Sequence, residues 1–326
     1  MARIAVLGAG AWGTALALQA VRAGSQACLW ARDPARVAAM AAAGENARYL
    51  PGVALPAGLA LTHDLAVALH GAEAAILAVP VQHLRAFLAG LPGDAPPLVV
   101  VAKGVERDTL RLPLEIVEAL RPGLPAAVLS GPNFAHEVAA GLPAAAVIAS
   151  RDTGLREQVG DLLATPAFRL YGSDDPVGVQ VGGAAKNVIA IAAGAVIGAG
   201  LGENARAALV TRGVAELARL AVALGGRPET AAGLSGLGDL LLTASGPASR
   251  NTSLGLALGR GRCLAEVLAE RVGVTEGVAT APALVARAAV AGVELPICHA
   301  VADLLAGEVT VAEAMGRLLA RPRRDE

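Results

Sequence analysis

The chain has 326 residues and a formal net charge of −1 at pH 7. This length is sufficient for two domains with separate cores, and the near-neutral charge leaves no basic field that would attract nucleic acid or an anionic membrane. The hydrophobic fraction of 55% would suit a membrane protein, but most of the excess is alanine, which also lines soluble helices.

No segment predicts membrane insertion. The longest apolar candidate, 188–201, contains three glycines and is shorter than the roughly 20 residues that cross a bilayer. The apolar run at 4–7 breaks at once into a glycine turn, so we expect no signal peptide. The chain is therefore expected to be cytoplasmic.

The cysteines and histidines predict neither a disulfide framework nor a metal site. Cys28, Cys263 and Cys298 are dispersed among largely apolar neighbours, as expected of small buried side chains in a reducing compartment. The five histidines show no ligand spacing with one another or with cysteine, so no metal is predicted.

The first residues predict a dinucleotide-binding turn. An apolar strand at 4–7 is followed by Gly8, Gly10 and Gly13, and a helix begins near Ala11. The first glycine permits the turn, the second lets backbone N–H groups approach a pyrophosphate, and the third lets helix and strand pack closely. The anion would lie at the positive end of the helix.

The next strand, at 27–30, ends where an adenosine ribose is expected. Arg32 lies just past it and could hold a 2′-phosphate, which favours NADP. Asp33 could instead accept from a ribose hydroxyl, as in NAD enzymes, or cap a helix that begins at Pro34. We prefer NADP, with NAD tolerated.

More strand and helix pairs follow. We predict a loop at 44–56, a helix at 155–163 and strands at 74–79, 98–101, 126–129, 144–148 and 168–171. Lys103 follows one strand and the 130–137 segment follows another, at the carboxyl ends where α/β sheets bind ligands. His136 falls in the first turn of a predicted helix and is interpreted as a surface residue.

Lysine is rare: among 27 basic residues only Lys103 and Lys186 are lysines. Arginine is always charged, whereas a lysine can lose its proton when it is buried and can therefore serve as a proton acceptor. Both lysines lie in apolar stretches with glycine close by. We interpret them as residues with a chemical task.

From Asp174 onwards the pattern is helical only. The small-residue stretch 178–194 predicts a helix buried nearly all round, so Lys186 within it should be desolvated and partnered. Asp239 is the only charge in the glycine-rich stretch 232–243 and is the natural partner. A helix at 204–224, a polar loop at 245–252 with the phosphate-binding residue types, and a turn at 274–277 complete the predicted elements.

These motifs together resemble the NAD(P)-dependent glycerol-3-phosphate dehydrogenases of the bacterial, soluble type. The resemblance extends over nearly the whole chain, through ordered motifs that include Gly8–Gly13, Tyr49–Gly52, Ala78–Pro80, Lys103–Gly104, Ser130–Pro132, Gly182–Asn187, Ser235–Asp239 and Ser249–Asn251. It implies an α/β Rossmann domain at 1–180 and an all-α domain at 181–326 that resembles the C-terminal domain of 6-phosphogluconate dehydrogenase, with the active site between them.

The resemblance also implies hydride transfer between NAD(P)H and the phosphorylated triose dihydroxyacetone phosphate, which supplies sn-glycerol 3-phosphate for phospholipid synthesis. Lys186 matches the proton acceptor. The implied substrate contacts are Lys103, Gly131, Asn133, Lys186, Asp239, Ser249, Arg250 and Asn251. The implied cofactor contacts, beside Gly8, Gly10 and Gly13, are Ala11, Trp12, Arg32, Lys103, Ala135, Arg250, Val274 and Glu276. We expect a homodimer.

Three positions differ from the usual family pattern. Ala11 supplies no hydroxyl, Asn133 stands where serine or threonine is usual, and Thr252 stands where a basic residue is frequent. Two other functions stay open at this point. A β-hydroxyacid dehydrogenase of the same build would need a carboxylate site, and a nucleotide-sensing module would bind the cofactor without turnover.

Overall fold

The computed structural model describes residues 2–246, 248–271 and 273–322. Contacts between Cα atoms divide the chain into two units. The first, here called the α/β unit, consists of Met1–Lys103 and Pro113–Val179. The second, the helical unit, consists of Gly104–Leu112 and Gln180–Glu326.

The α/β unit alternates strands with helices over most of its length. Its strands are β1 (Arg3–Leu7), β2 (Gln26–Trp30), β3 (Glu45–Asn46), β4 (Leu50–Ala54), β5 (Leu59–Thr62), β6 (Ala74–Leu77), β7 (Leu98–Val100), β8 (Ala126–Ser130), β9 (Ala144–Ala149) and β10 (Phe168–Ser173). Its helices are α1 (Ala11–Arg22), α2 (Pro34–Ala43), α3 (Leu65–Leu69), α4 (Val81–Ala89), α5 (Pro113–Leu120), α6 (Ala135–Ala140) and α7 (Thr153–Leu163).

Within the described residues one sheet has the order β10-β9-β8-β7-β6-β1-β2-β5. Its pairs are parallel except β8 with β9, where Val128 lies opposite Ala149 in antiparallel register. The order reverses at β1, and ligands bind beyond the carboxyl ends of the strands at such a reversal. The turn that follows β1 is therefore well placed for the predicted dinucleotide.

The predicted loop at 44–56 is wrong in part. Strands β3 and β4 pair there as a short antiparallel hairpin, and β5, which we did not predict, adds a parallel edge strand beside β2. The turn signals in this segment were visible in the sequence. A two-residue strand such as β3 is too short to produce a periodic pattern.

The helical unit contains one π-helical turn among its described α-helices. These are α8 (Pro176–Gly198), α9 (Gly202–Ala223), α10 (Pro228–Ala232), the π-helical turn Leu234–Gly238, α11 (Asp239–Ala244), α12 (Arg250–Gly259), α13 (Leu264–Ala269), α14 (Glu276–Val290), α15 (Pro296–Ala306) and α16 (Val311–Leu319). The first turn of α8, through Val179, belongs to the α/β unit, and the rest of the helix belongs to the helical unit. The predicted all-helical character of this part is confirmed.

Helix α8 is buried nearly all round, as its composition predicts. At 23 residues it is longer than the apolar segment 188–201 predicted from the sequence, and the prediction that it is too short to span a membrane is wrong. Of its most apolar 18-residue window, 89% is buried inside the protein. This burial accounts for its apolar composition, since core helices are apolar on every face.

Glycines let α8 and α12 approach each other closely. A Cβ atom built on Gly194 would lie 2.1 Å from the Thr252 carbonyl oxygen, and one built on Gly255 would lie 1.9 Å from the Ile191 carbonyl oxygen. Real Cβ atoms do not approach this closely. The two backbones are therefore in direct contact, and only glycine fits at the crossing.

The cysteine prediction holds for two of the three residues. Cys28 and Cys298 are buried free thiols, whereas Cys263 is exposed at the N-cap of α13. Burial raises the pKa of the Cys298 thiol well above its usual value, and the neighbouring carboxyl of Glu216 raises it further. Cys298 is therefore an inert packing residue.

Candidate active site

The glycine-rich turn has the tight turn and the close helix packing that its sequence predicts. Gly8 has a φ of +121°, and a Cβ there would lie 2.5 Å from the Ala78 carbonyl oxygen. A Cβ on Gly13 would lie 1.9 Å from the Gly8 carbonyl oxygen, so helix α1 packs directly on the turn. Gly10 is different, because a Cβ there would meet no atom within 4 Å.

The open space at Gly10 fits a pyrophosphate. Gly10 is the N-cap of α1 and provides no side-chain cap to the first turn, which begins with Ala11 and Trp12. Backbone N–H groups at such a helix end bind phosphate groups. Gly10 thus combines a helix end that needs an acceptor with space in which a phosphate group could lie.

Asp33 and Arg32 have different surroundings after β2. The Asp33 side chain accepts a hydrogen bond from the Ala35 backbone N–H at 3.0 Å, which confirms its alternative role as the N-cap of α2. Arg32 is exposed. Of the two candidates for the ribose, Asp33 is already engaged in capping while Arg32 extends from the strand end into solvent.

Lys103 and the turn after β8 lie together within the α/β unit. The Lys103 Nζ donates to the Gly131 carbonyl at 3.2 Å. Gly131 has a φ of +147°, and the Asn133 amide nitrogen donates to the Ala145 carbonyl at 3.0 Å. The Asn133 Oδ1 is buried without a hydrogen-bond partner in the described structure, as is expected of a group that awaits a donor.

Ala135 and His136, which follow the turn after β8, lie at the start of α6. Ala135 is its first residue, and the preceding Phe134 provides no side-chain cap. His136 follows in the first turn with a side chain that is 64% exposed. This confirms the interpretation of His136 as a surface residue.

Lys186 is buried and paired as predicted. Its Nζ donates to Asp239 Oδ1 at 2.9 Å and to Thr243 Oγ1 at 2.8 Å. Lys186 as a whole is 8% exposed and Asp239 is 1% exposed. Close to this pair, the π-helical turn before α11 packs directly on α8, because a Cβ built on Gly182 would lie 2.7 Å from the Ser235 carbonyl oxygen.

A buried ion pair of this kind requires compensation for the loss of water around both charges. The Thr243 hydroxyl contributes, since its oxygen accepts a hydrogen bond from Lys186 Nζ and its O–H donates to Asp239 Oδ1 at 3.4 Å. Sequence reasoning missed Thr243. The signal was available, because Thr243 lies four residues after Asp239 on the same predicted segment and therefore on the same helical face.

The predicted loop at 245–252 is wrong in its C-terminal part, which begins a helix. Ser249 is the N-cap of α12, with its hydroxyl oxygen accepting from the Thr252 backbone N–H at 3.3 Å, and Arg250, Asn251 and Thr252 form the first helical turn. Pro247, inside the predicted loop, lies outside the described residues. Serine followed by polar residues was a capping signal that we interpreted as a loop.

The polar side chains of this turn differ in exposure. Arg250 is exposed, whereas Asn251 is 8% exposed. The Thr252 hydroxyl donates to the Thr243 carbonyl at 2.5 Å. Thr252 therefore joins α12 to α11, which is a structural use for the position where a basic residue is frequent.

Asn251 links three helices. Its Nδ2 donates to Asn187 Oδ1 at 2.8 Å, and its Oδ1 accepts from the Gly277 backbone N–H at 3.2 Å. Asn187 was not among the predicted site residues, although it is a polar residue beside Lys186 in an apolar helix. These bonds hold α8, α12 and α14 together next to the buried ion pair.

The predicted turn at 274–277 is also partly helical. Thr275 is the N-cap of α14, so Glu276 and Gly277 begin the helix. Val274 precedes it and is 44% exposed. Glu276 in the first turn favours the helix through the macrodipole, which the sequence signal of a threonine followed by an acidic residue could have indicated.

A glycine-rich turn on a mostly parallel sheet and an all-helical unit with a buried lysine–aspartate pair are typical of dehydrogenases of the two-domain Rossmann class. Comparison with known proteins identifies the family. The model described as NAD-dependent glycerol-3-phosphate dehydrogenase N-terminus matches residues 3–155, and the corresponding C-terminus model matches residues 175–316. The chain belongs to the NAD-dependent glycerol-3-phosphate dehydrogenase family.

Named relatives agree over the full length. The chain is 57% identical to glycerol-3-phosphate dehydrogenase [NAD(P)+] of Acidiphilium cryptum, covering 99% of this chain and 98% of that protein. It is 53% identical to the protein of the same name from Rhodospirillum rubrum, covering 99% and 93%. The crystal structure of glycerol-3-phosphate dehydrogenase from Coxiella burnetii superposes with a TM-score of 0.94 at 38% identity, covering 98% and 99%.

The predicted family and fold class, an α/β Rossmann domain followed by an all-α domain, are thereby confirmed. So are the prediction of an oxidoreductase and that of NAD or NADP as its cofactor.

Proposed function

We propose that this chain catalyses the reversible NAD(P)H-dependent reduction of dihydroxyacetone phosphate to sn-glycerol 3-phosphate, and so supplies glycerophospholipid synthesis. The observation that carries the proposal is the buried Lys186–Asp239 pair, at 2.9 Å, in a chain of this family. A buried ammonium on a rigid helix is suited to proton transfer.

Lys186 is the proton carrier in this proposal. In reduction its Nζ donates a proton to the substrate C2 oxygen, and in oxidation it accepts the proton of the C2 hydroxyl. The nicotinamide cofactor, when bound, supplies or accepts the hydride at C2. Asp239 and Thr243 hold Nζ through the hydrogen bonds described above, so the proton is delivered from a fixed atom.

The substrate phosphate is assigned to the start of α12. Ser249, Arg250 and Asn251 supply a hydroxyl, a guanidinium and an amide, and a guanidinium binds phosphate with two parallel hydrogen bonds. The exposed Arg250 supports this role. Asn251 has both polar atoms engaged with Asn187 and Gly277, so we assign it the positioning of this turn in addition to any substrate contact.

The α/β unit supplies further proposed contacts. Lys103, Gly131 and Asn133 are substrate candidates, and the orphaned Asn133 Oδ1 supports one of them. The proposed cofactor contacts are Gly8, Gly10, Ala11, Trp12, Gly13, Arg32, Lys103 and Ala135 in this unit, together with Arg250, Val274 and Glu276 in the other. Exposed Arg32 after β2 supports NADP as the preferred cofactor, since a guanidinium accommodates the 2′-phosphate.

The remaining parts of the proposal concern organisation. We assign residues 1–180 to a dinucleotide-binding domain and 181–326 to a substrate domain, in a cytoplasmic homodimer that acts on a small phosphorylated molecule. The family and the burial of α8 inside the protein support an enzyme that is not inserted in a membrane.

The experiment is NADPH oxidation followed by absorbance, with dihydroxyacetone phosphate, dihydroxyacetone and a β-keto acid compared as substrates. Turnover that requires the phosphate supports the proposal. Faster turnover of the carboxylate substrate would instead indicate a β-hydroxyacid dehydrogenase. Cofactor binding without turnover of any of the three would indicate a sensor.

The proposed phosphate site has its own test. Arg250→Met should raise KM for dihydroxyacetone phosphate by roughly tenfold or more, because a charged hydrogen bond contributes about 1.5–3 kcal/mol. Arg260→Met, at the opposite end of α12, is the matched control. An unchanged KM in the Arg250 variant would contradict the assignment.

A further inference from the structure

The carbonyl of Ala9, inside the glycine-rich turn, is held by side chains that have no role in the proposal above. Asn46 Nδ2 donates to the Ala9 oxygen at 2.9 Å and to Thr14 Oγ1 at 2.8 Å. Asn46 is 1% exposed and Thr14 is fully buried. The amide of Asn46 is thus fixed by two acceptors, one on the turn and one on α1.

Arg36 on α2 is the second donor to the same oxygen, through its Nη2. Its guanidinium carbon lies 4.3 Å from the centroid of the Tyr49 ring, a cation–π contact that restrains the side chain. Burial lowers the pKa of Arg36 from its usual value, but an arginine stays charged at neutral pH. A charged donor therefore supports the Ala9 carbonyl.

The carbonyl oxygens of Ala9 and Gly10 accept hydrogen bonds from different kinds of donor. The Gly10 oxygen accepts from the Thr14 backbone N–H at 3.0 Å, so helix α1 already sets its direction. The Ala9 oxygen precedes the helix, and within the described residues its hydrogen bonds come from side chains. The orientation of the Ala9–Gly10 peptide therefore depends on Asn46 and Arg36.

In a planar trans peptide the carbonyl and the N–H point in opposite directions, and the described chain contains no cis peptide bond. Fixing the Ala9 oxygen towards Asn46 and Arg36 consequently turns the Gly10 N–H the other way. This N–H belongs to the residue beside which the structure leaves open space.

We propose that Asn46 and Arg36 are positioning residues for the cofactor, which orient the Gly10 N–H towards the pyrophosphate by holding the Ala9 carbonyl. This inference rests on the proposed placement of the cofactor at the turn. Because the pyrophosphate is common to both cofactors, these residues support NADH and NADPH binding equally. Arg36 is thereby distinguished from Arg32, which is assigned to the 2′-phosphate that only NADPH carries.

The test is titration of the purified enzyme with NADH and with NADPH, followed by nicotinamide fluorescence. Arg36→Met keeps an apolar stem beside Tyr49 and removes the donors. It should raise both Kd values about tenfold, the equivalent of one hydrogen bond, and leave their ratio unchanged. Arg36→Lys keeps a donor and should raise the two Kd values less than Arg36→Met does. Arg48→Met is the matched control, since Arg48 also lies near the Tyr49 ring, at 5.3 Å, and should change neither Kd.

Asn46→Asp is the second variant, with the same shape and no amide donor. It should also weaken the binding of both cofactors. The affinity for ADP should fall as well, whereas the affinity for adenosine, which has no phosphate, should stay unchanged. If Asn46→Asp does not fold, Arg36→Met decides alone. Unchanged Kd values in Arg36→Met, or a loss confined to NADPH, would overturn the inference.

Gly10→Val separates this inference from the proposed function. Gly10 has a φ of −71° and open space at its Cβ, so the variant should fold and fill the cradle. If Gly10→Val leaves the NADH Kd unchanged, the cofactor does not bind at the turn, and the cofactor site of the proposed function is contradicted. If it abolishes binding while Arg36→Met and Asn46→Asp do not, only the positioning role fails.

Discussion

The glycine-rich turn of the α/β unit and the glycines of the α8–α12 crossing look alike in the sequence, but their surroundings differ. At the crossing, every added Cβ on Gly194 or Gly255 would strike the backbone of the facing helix. In the turn, Gly8 and Gly13 are equally restricted, whereas Gly10 faces open space. Glycine at the crossing serves packing alone, while the turn combines packing glycines with one that leaves room for a ligand.

The same contrast extends to the groups that each region offers. The turn presents backbone N–H groups, whose direction depends on where neighbouring carbonyls are held. The helical unit presents side chains, with Lys186 paired to Asp239 on helices that glycine brings together. One site depends on peptide orientation and the other on helix packing and charge balance, so they should fail in different ways.

The largest effect is expected from crowding the crossing. Gly255→Val should destabilise the helical unit by more than about 3 kcal/mol, because its Cβ would lie 1.9 Å from the Ile191 carbonyl and the two helices must separate. Urea unfolding followed by circular dichroism measures this. Gly316→Ala, on α16 with nothing near its Cβ, should be neutral or slightly stabilising. Similar stabilities for both variants would contradict the close packing.

Removing the charge of Asp239 should have the next largest effect on stability. Asp239→Asn leaves the Lys186 ammonium buried without its carboxylate and should destabilise the fold by about 3 kcal/mol. Glu270→Gln is the matched control, since Glu270 pairs with Arg262 at the surface, where water screens the charges and the substitution should cost far less stability. Equal losses in urea unfolding would show that burial does not strengthen the first pair.

Cofactor choice should respond to Arg32 in the α/β unit without loss of fold. Arg32→Asp should shift the NADPH to NADH preference by about tenfold or more towards NADH, since a guanidinium–phosphate contact is replaced by repulsion. The ratio of kcat/KM values for the two cofactors measures it. An unchanged ratio would remove Arg32 from the 2′-phosphate site.

The smallest expected effect is on the pH dependence of stability and concerns Glu216 in the helical unit. Backbone N–H groups, and not an ammonium group, donate hydrogen bonds to this buried carboxyl. Glu216 accepts from the Ile297 and Cys298 N–H groups at 2.6 and 3.2 Å. Burial raises its pKa above the usual value, although these hydrogen bonds act in the opposite direction. The folded chain then binds this proton more tightly than the unfolded chain does.

The stability contributed by protonated Glu216 should therefore be complete below the usual carboxyl pKa and decline as the pH rises through the raised value. Glu216→Gln should flatten this decline in unfolding curves measured at several pH values. A wild type whose stability rises over that window, with the variant unchanged, would contradict the direction of the shift.

The sequence predicted the elements that have strong patterns. The turn at Gly8–Gly13 combines a strand, three glycines and a helix, and the Lys186–Asp239 pair follows from two isolated charges in apolar segments. What it missed has two causes. The hairpin of β3 and β4 has no period of its own. Thr243, four residues after Asp239 on α11, contacts Lys186 only through the packing of α8 against α11, although its spacing from Asp239 was visible in the sequence.

Helix starts were the other source of error. Ser249 and Thr275 are N-caps, and each was assigned to a loop or turn because capping residues and turn residues are the same types. The role of Asn46 was hidden for a related reason. Nothing in the local sequence shows that it reaches back to the Ala9 carbonyl, 37 positions earlier.

The central claim is that Lys186 carries the proton. The most direct measurement is kcat for NADPH oxidation with dihydroxyacetone phosphate in the wild type and in Lys186→Arg, with the NADPH Kd determined by fluorescence in the same samples. Arginine keeps the charge beside Asp239 but does not release a proton at neutral pH. We predict a kcat lower by about 100-fold or more with the NADPH Kd retained. A variant that turns over at nearly the wild-type rate would contradict the claim.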